Sequence, residues 1–177
     1  MTRLLIPALL WLASLPALAA LKVGDSAPDF TTQASLAGKE FTYHLASLLK
    51  SGPVVLYFYP AAFTQGCTIE AHDFAEAIPQ FKALGASVVG VSNDSIETLN
   101  KFSLSECQGK FAVASDASQT IMKAYDAVLL WKSNYASRTS YVIAADGKVA
   151  YSYTALSPDL HVANTLAALK KLQGAAP

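Results

Sequence analysis

The chain has 177 residues, enough for one domain with a hydrophobic core and too few for two domains of ordinary size. It contains 13 Lys and Arg residues against 13 Asp and Glu residues, and the basic residues are scattered apart from the pair Lys170-Lys171. A balanced charge without a basic patch argues against a nucleic-acid-binding protein.

The first 19 residues are predicted to be a cleavable signal peptide. Arg3 precedes an apolar run that starts at Leu4, and Ala17-Leu18-Ala19 fits the small-x-small pattern before a cleavage site. A transmembrane anchor is the weaker alternative, because the run is about 16 residues long, contains two prolines and lacks basic flanks after it. The mature chain, residues 20–177, is therefore expected to be a single periplasmic or secreted domain that does not stay in the membrane.

The first half of this domain reads as a hairpin followed by a strand-helix-strand unit. The segment PDFTTQASLAGKEFTYHL predicts a β-hairpin leading into a short helix over residues 45–50. The apolar runs 52–60 and 86–94 predict strands buried on both faces of a largely parallel sheet. Between them, apolar residues at helical spacing predict a helix over residues 68–84. Cys67 would then lie at the entrance of this helix.

The next segment predicts a helix and a short strand. The helix is expected to start at Asp94, with Glu97 as its capping-box partner, and to run towards Cys107. Residues 110–116 predict a strand, and Asp116 at its end is expected to cap a short helix.

The final segment, RTSYVIAADGKVAYSYT (138–154), predicts a β-hairpin, and a last helix is expected to open at Ser157-Pro158-Asp159 and to close near Gly174. The whole order alternates strands and helices and finishes with a hairpin and a helix. This pattern indicates an α/β protein with a thioredoxin-like fold, in which helices flank a central mixed sheet. Fold class alone does not determine function.

The chain has two cysteines, Cys67 and Cys107. In an exported protein they could form a structural disulfide, which would close a loop of about 40 residues and stabilise the fold by roughly 4 kcal/mol. A metal site is disfavoured, because there is no C-x-x-C pair and the histidines at 44, 72 and 161 are dispersed. His72 is expected on a helix surface.

The position of Cys67 favours a reactive thiolate, because unpaired N–H groups in the first turn of a helix stabilise an anion. A thiol with a pKa near 8.5 is only about 3% ionised at neutral pH, and lowering that pKa to about 6 requires roughly 3.4 kcal/mol. A helix terminus supplies at most about 2 kcal/mol, so a cation is needed nearby. Arg138, at the start of the strand TSYVIA, is the best candidate, with an ordinary surface arginine as the alternative.

These residues resemble a known family. The octapeptide from Pro60 to Cys67, PAAFTQGC, matches the signature P-x-x-x-T-x-x-C of peroxiredoxins, and Thr68-Ile69-Glu70 resembles the continuation found in the bacterioferritin-comigratory-protein (PrxQ) subfamily. The motifs VGDSAPDFT, GASVVGVSND and SRTSYVI extend the resemblance over most of residues 21–155. It implies a peroxidase without a cofactor that reduces hydrogen peroxide or alkyl hydroperoxides. Its reductant would be a thioredoxin-like or glutaredoxin-like dithiol protein.

The resemblance also implies roles for individual residues. Cys67 would be the peroxidatic cysteine, which attacks the peroxide and becomes a sulfenic acid. The Thr64 hydroxyl, the Cys67 backbone N–H and the Arg138 guanidinium would contact the peroxide oxygens, and Pro60 would limit access of water to the thiolate. Glu70 would orient the arginine, with an exposed helix acid as the alternative.

Cys107 is implied to be the resolving cysteine. Many PrxQ-like proteins carry that cysteine five residues after the peroxidatic one, where this chain has His72, and others carry it in the following helix, which fits Cys107. A disulfide within one chain would require local unfolding near both cysteines, and Pro79 inside the Cys67 helix is expected to help. A monomer or weak homodimer is expected. The alternatives are an exported thiol-disulfide oxidoreductase, which normally has a C-x-x-C motif, and a non-enzymatic thioredoxin-fold module stapled by a disulfide.

Overall fold

The computed structural model describes residues 20–174, and the predicted signal peptide lies outside these residues. Within them the chain forms seven strands and five helices. The strands are β1 (Thr31–Leu36), β2 (Lys39–His44), β3 (Val54–Phe58), β4 (Ser87–Ser92), β5 (Ala112–Ser115), β6 (Thr139–Ile143) and β7 (Val149–Thr154). The helices are α1 (Leu45–Leu49), α2 (Gln65–Ala83), α3 (Ile96–Ser105), α4 (Thr120–Ala124) and α5 (His161–Gly174).

All seven strands belong to one mixed sheet in the order β2-β1-β5-β4-β3-β6-β7. Strands β3, β4 and β5 are parallel, whereas β6 pairs antiparallel with β3 and the N-terminal hairpin joins the sheet through an antiparallel β1-β5 pair. The predicted α/β class with a central mixed sheet is therefore confirmed. Strand β3 lies inside the sheet, between β4 and β6, so the loop that follows it is flanked by the ends of both neighbouring strands.

Helices cover both faces of this sheet, which explains why strands β3 and β6 are buried at every position. On one face α2, α3 and α5 enclose an apolar cluster that includes Tyr57, Tyr59, Phe74, Phe102, Val113 and Leu169. On the other face α1 and α4 enclose a second cluster that includes Leu45, Leu56, Phe58, Met122, Tyr125 and Tyr141. Among residues 20–174, no helix combines the length and apolar character needed to cross a membrane.

Helix α2 begins three residues before the prediction, with Thr64 as its N-cap in extended conformation. The residues that extend it, Gln65 and Gly66, are polar or small, so the apolar periodicity could not include them. The consequence is that Cys67 is the third residue of the helix, inside its first turn. The helix also continues through Pro79 without a break in its assignment.

The predicted capping box of α3 is wrong. Its N-cap is Ser95, whose hydroxyl accepts a hydrogen bond from the Thr98 backbone N–H. Asp94 cannot take that position, because its carboxylate accepts hydrogen bonds from the Ala62 N–H at 2.7 Å and from the Ser92 hydroxyl at 2.7 Å. Asp94 therefore ties the loop after β3 to the end of β4.

The starts of α4 and α5 also differ in detail from the prediction. Asp116 does cap α4, because its carboxylate accepts from the Ile121 and Met122 N–H groups, although the N-cap position itself belongs to Gln119. Helix α5 begins at His161 rather than at residues 157–159, which form a preceding turn. This shift makes His161 the first residue of the helix.

We expect Gly90→Ala to lower the free energy of unfolding by about 1–3 kcal/mol, because it overpacks a core that has no room to adjust. Gly90 lies opposite Tyr57 in the β3-β4 pair, and an added Cβ would come within 2.7 Å of the Tyr57 ring. That ring is fully buried and stacked on Phe74 with centroids 4.4 Å apart. Urea unfolding of the two proteins measures the difference.

Gly174→Ala is the matched control, since a methyl group there meets no atom within 4 Å among the described residues. Its urea midpoint should not fall below that of the wild type, because alanine is the better helix former at the end of α5. An unchanged midpoint for Gly90→Ala would contradict the tight packing of Tyr57 on β4.

Candidate active site

The loop after β3 delivers Cys67 to the edge of the sheet. Pro60 is half-buried two residues beyond the end of β3, and Thr64 caps the following helix. The first backbone hydrogen bond of α2 runs from the Thr68 N–H to the Thr64 carbonyl at 2.9 Å. The Cys67 N–H lies before that bond, so it is available to an anion at the positive end of the helix.

Three contacts fix the conformation of this loop. Phe63 adopts a left-handed conformation with φ of 61°, which is uncommon for a bulky residue, and its ring packs edge-to-face on Phe102 with centroids 5.2 Å apart. Asp94 accepts the Ala62 N–H on the other side. The Thr64 hydroxyl donates to the Ala61 carbonyl at 2.9 Å and is exposed. The loop is therefore held in one shape before any substrate arrives.

Arg138 lies immediately before β6, next to β3 in the sheet, and only 5% of it is exposed. Its Nη2 donates to the Cys67 sulfur at 3.5 Å, its Nη1 donates to the Glu70 carboxylate, and its Nε donates to the Leu156 carbonyl at 2.9 Å. A Cβ at Gly66 would approach Nη2 to 2.9 Å, so the glycine leaves space for the guanidinium. The structure thus brings the predicted cation to the thiol, and Arg138 is not a surface arginine.

Glu70 is fully buried one turn after Cys67, so it is not an exposed helix acid. Burial raises the pKa of Glu70 to about 8, although Arg138 acts in the opposite direction. A carboxyl group with a pKa of about 8 is mostly protonated and uncharged at pH 7. It therefore opposes a nearby thiolate much less than a carboxylate would. Its hydrogen bond from Arg138 orients the guanidinium towards the sulfur.

The site contains a histidine that the sequence did not single out. His161 is fully buried beneath Glu70, and its Nδ1 lies 2.8 Å from the Ser140 hydroxyl. Burial lowers the pKa of His161 to about 4, with a further contribution from the positive charge of Arg138. The position of His161 directly after a turn rich in Ser, Pro and Asp was a signal of a helix start, but nothing in the sequence placed it near Cys67.

Cys107 follows the end of α3 and is fully buried, in the same apolar cluster as Cys67. Both cysteines are free thiols in this structure. Burial and the Glu106 carboxylate raise the pKa of Cys107 well above its usual value, so this thiol is protonated. His72, on the half-exposed side of α2, contacts the Glu106 carboxylate at 3.0 Å. The two cysteine-bearing segments are therefore joined by a surface ion pair whenever His72 is protonated.

The remaining polar groups give no sign of a metal centre. Among residues 20–174, no cluster of three or more His, Cys, Asp and Glu side chains could hold a metal ion. His44 is half-exposed and contacts Asp29 at 3.0 Å.

Comparison with known proteins gives a consistent picture. Residues 23–152 match the model of the AhpC/TSA family. The chain is 32% identical to peroxiredoxin Q of Oryza sativa subsp. japonica chloroplasts, over 84% of this chain and 67% of the relative, and 33% identical to peroxiredoxin Bcp of Xanthomonas campestris, over 66% and 76%. The crystal structure of peroxidoxin BcpB from Mycobacterium tuberculosis has a TM-score of 0.78 at 35% identity, covering 86% of this chain and 98% of that one.

We expect Glu70→Gln to gain stability relative to the wild type as the pH rises from about 4.5 to about 8. The pKa of Glu70 is raised to about 8 in the folded state, so its folded carboxyl retains a proton that the unfolded chain releases above its ordinary value of 4.5. The contribution of this group is complete below pH 4.5 and is lost as the pH passes through 8. Urea unfolding of both proteins at several pH values measures the difference.

Glu97→Gln serves as the control. Hydrogen bonding to Ser95 lowers the pKa of Glu97, so its titration falls below this range and its difference from the wild type should stay flat above pH 4.5. A flat profile for Glu70→Gln as well would show that Glu70 is ionised throughout and would contradict the effect of burial.

Proposed function

The chain belongs to the AhpC/TSA family of peroxiredoxins and is a thiol-dependent peroxidase, and we propose that Cys67 is its peroxidatic cysteine and Cys107 its resolving cysteine. One observation carries the first assignment. A single guanidinium, buried and held at two other points, donates to the Cys67 sulfur at 3.5 Å. A fixed cation at that distance favours the thiolate over the thiol, and the thiolate is the nucleophile.

The first step transfers one oxygen atom to the sulfur. The Cys67 thiolate attacks one oxygen of a hydroperoxide, the S–O bond forms as the O–O bond breaks, and the sulfur is oxidised to a sulfenic acid. The leaving oxygen takes a proton and departs as water or as an alcohol. Negative charge moves from the sulfur to the leaving oxygen during this step, so donors near both atoms lower the barrier.

The donors proposed for the peroxide surround the sulfur. Arg138 is placed to contact the sulfur and an incoming oxygen through the same Nη2 group, and the Cys67 N–H lies at the open end of α2. The Thr64 hydroxyl would have to turn from the Ala61 carbonyl to reach the substrate. Pro60, half-buried beside the loop, would limit access of water.

The second step closes a disulfide. The Cys107 thiol attacks the sulfenic sulfur, water leaves, and a Cys67–Cys107 disulfide forms, which an external dithiol then reduces to two thiols. Both sulfurs are buried, and both lie at helix ends, in the first turn of α2 and just beyond α3. Helix ends open at lower cost than helix centres. We propose that these two ends unwind together, while the part of α2 after Pro79 stays folded.

A thioredoxin-like protein is the dithiol reductant that the family implies, and we propose that the reaction takes place in the periplasm or outside the cell. The support for this location is the basic residue, apolar run and small-x-small pattern of residues 1–19. A thiol-disulfide oxidoreductase is less well supported, because Cys67 is followed by Thr68, Ile69 and Glu70 rather than by a second cysteine of a C-x-x-C motif.

We expect Cys67→Ser to reduce hydroperoxide consumption to the uncatalysed rate, because serine is not ionised at neutral pH. Cys107→Ser should complete one fast turnover and then stop when thioredoxin and its reductase are the electron source. Peroxide consumption in steady state and in a single turnover measures both effects. Mass mapping after one equivalent of peroxide should find the Cys67–Cys107 disulfide within one chain in the wild type.

Ser105→Ala, two residues from Cys107 and exposed, is the control and should keep full turnover. Full turnover by Cys67→Ser would refute the assignment of the nucleophile. Full turnover by Cys107→Ser with the protein dithiol would remove Cys107 from the cycle.

A further inference from the structure

Only one of the two oxygens of the Glu70 carboxyl group has a hydrogen-bond partner among the described residues. Its Oε2 accepts a hydrogen bond from Arg138, whereas its Oε1 is buried and has no hydrogen-bond partner among the described residues. A buried carboxylate oxygen without a partner is costly, and such groups are rare in native proteins. The unpaired oxygen therefore indicates that a proton belongs at this position.

The group that faces this oxygen is His161. Its Nδ1 lies 3.7 Å from Glu70 Oε1, about 1 Å beyond hydrogen-bond length, and both side chains are fully buried. The other ring nitrogen, Nε2, lies 3.1 Å from the Ala155 carbonyl, which can only accept, so Nε2 carries a proton. Nδ1 is then the nitrogen that can gain or lose a proton. The Ser140 hydroxyl beside it can pair with either form, since a hydroxyl both donates and accepts.

The segment at residues 155–156 accepts hydrogen bonds from both the His161 and the Arg138 side chains. The Ala155 carbonyl accepts from His161, and the next carbonyl, that of Leu156, accepts from Arg138 Nε at 2.9 Å. The Ala155 N–H donates in turn to the Arg138 carbonyl at 3.2 Å. Adjacent peptide groups therefore fix the imidazole, which faces Glu70 Oε1, and the guanidinium, which donates to Glu70 Oε2.

The charges of the site do not balance without an additional proton. The charged or titratable groups near Glu70 are Arg138 before β6, Cys67 and Asp73 on α2, and Tyr57 on β3. The other titratable groups of the pair are His161 itself, on α5, and Tyr153 on β7, whose ring packs edge-on against the imidazole with centroids 4.8 Å apart. With a Cys67 thiolate and a Glu70 carboxylate, two buried negative charges would share the single positive charge of Arg138. One proton held between Glu70 and His161 restores neutrality.

We propose that His161 is a positioning residue of the peroxidatic site: it shares one proton with Glu70, which leaves the charge of Arg138 to stabilise the Cys67 thiolate. This inference rests on the proposed role of Cys67. Burial raises the pKa of Glu70 to about 8 and lowers that of His161 to about 4, which is consistent with one proton distributed over the pair. His161 touches neither the sulfur nor the substrate and acts through Glu70 and Arg138.

Three variants in a Cys107→Ser background test this role: His161→Gln, Glu70→Gln and the double variant. Glutamine at 161 keeps a donor for the Ala155 carbonyl and removes the Nδ1 acceptor that shares the proton, so Glu70 should lose its proton more readily. The thiolate fraction of Cys67 at pH 7 and the rate of its reaction with hydrogen peroxide should then fall about three- to tenfold. Glu70→Gln mimics the protonated carboxyl, and its own thiolate fraction and rate are the reference against which the double variant is compared.

The double variant should behave like Glu70→Gln alone, because His161 acts only through the Glu70 proton. Thiolate absorbance against pH and single-turnover kinetics provide the readouts. His44→Gln is the control, since His44 is half-exposed and contacts Asp29, and it should match the parent protein. The proposal would be overturned if His161→Gln lowers the thiolate fraction and the rate by the same factor when residue 70 is glutamate as when it is glutamine.

Spectroscopy of the wild type tests the proposal even if His161→Gln does not fold. At pH 7 either a protonated carboxyl band that disappears in Glu70→Gln, or a protonated Nδ1 in the nitrogen NMR signal of His161, should be present. If both signals are absent, Glu70 is ionised beside a neutral His161, and the proposal is overturned. A failure of the proposed function looks different, because the parent protein itself would then not react with peroxide at Cys67.

Discussion

The contact between one buried guanidinium and one sulfur is the constraint on which this site depends. An anion in a dry interior needs a counter-charge at fixed distance, and Arg138 supplies it at 3.5 Å from the Cys67 sulfur. The sheet order makes this possible, because β3 leads into the cysteine loop and β6, its antiparallel neighbour, begins just after the arginine. The polar groups around the pair, Glu70 and the Leu156 carbonyl, then hold the guanidinium in place.

The Arg138 cation favours a thiolate at Cys67, whereas burial without a cation keeps Cys107 in its protonated form. Cys107 lacks a cation, and an acidic neighbour, Glu106, further favours its protonated form. In the proposed cycle, its thiol reacts only when its segment opens towards a sulfenic acid at position 67. Both sulfurs lie in one apolar cluster, so the proposal assigns peroxide attack to the fully folded state and resolution to a locally opened state.

Much of this arrangement could be predicted from the sequence, because it depends on local signals. Apolar runs defined the central strands, the octapeptide ending in Cys67 identified the chemistry, and the shortfall in thiolate stabilisation pointed to a cation that Arg138 supplies. Asp94 and His161 were missed or misassigned because their partners lie far away in the chain. Asp94 resembled a helix cap, and only the fold shows that the Ala62 N–H competes for its carboxylate. His161 meets Glu70 only because α5 packs beside α2.

The measurement that tests this account most directly is the ionisation of Cys67 in Arg138→Met, followed by thiolate absorbance in a Cys107→Ser background. If Arg138 supplies the charge, its loss should lower the thiolate fraction of Cys67 at neutral pH and slow the reaction with peroxide in proportion. A thiolate fraction that does not change on removal of the guanidinium would contradict the account, because the thiolate would then be stabilised by the helix terminus or by a group other than Arg138.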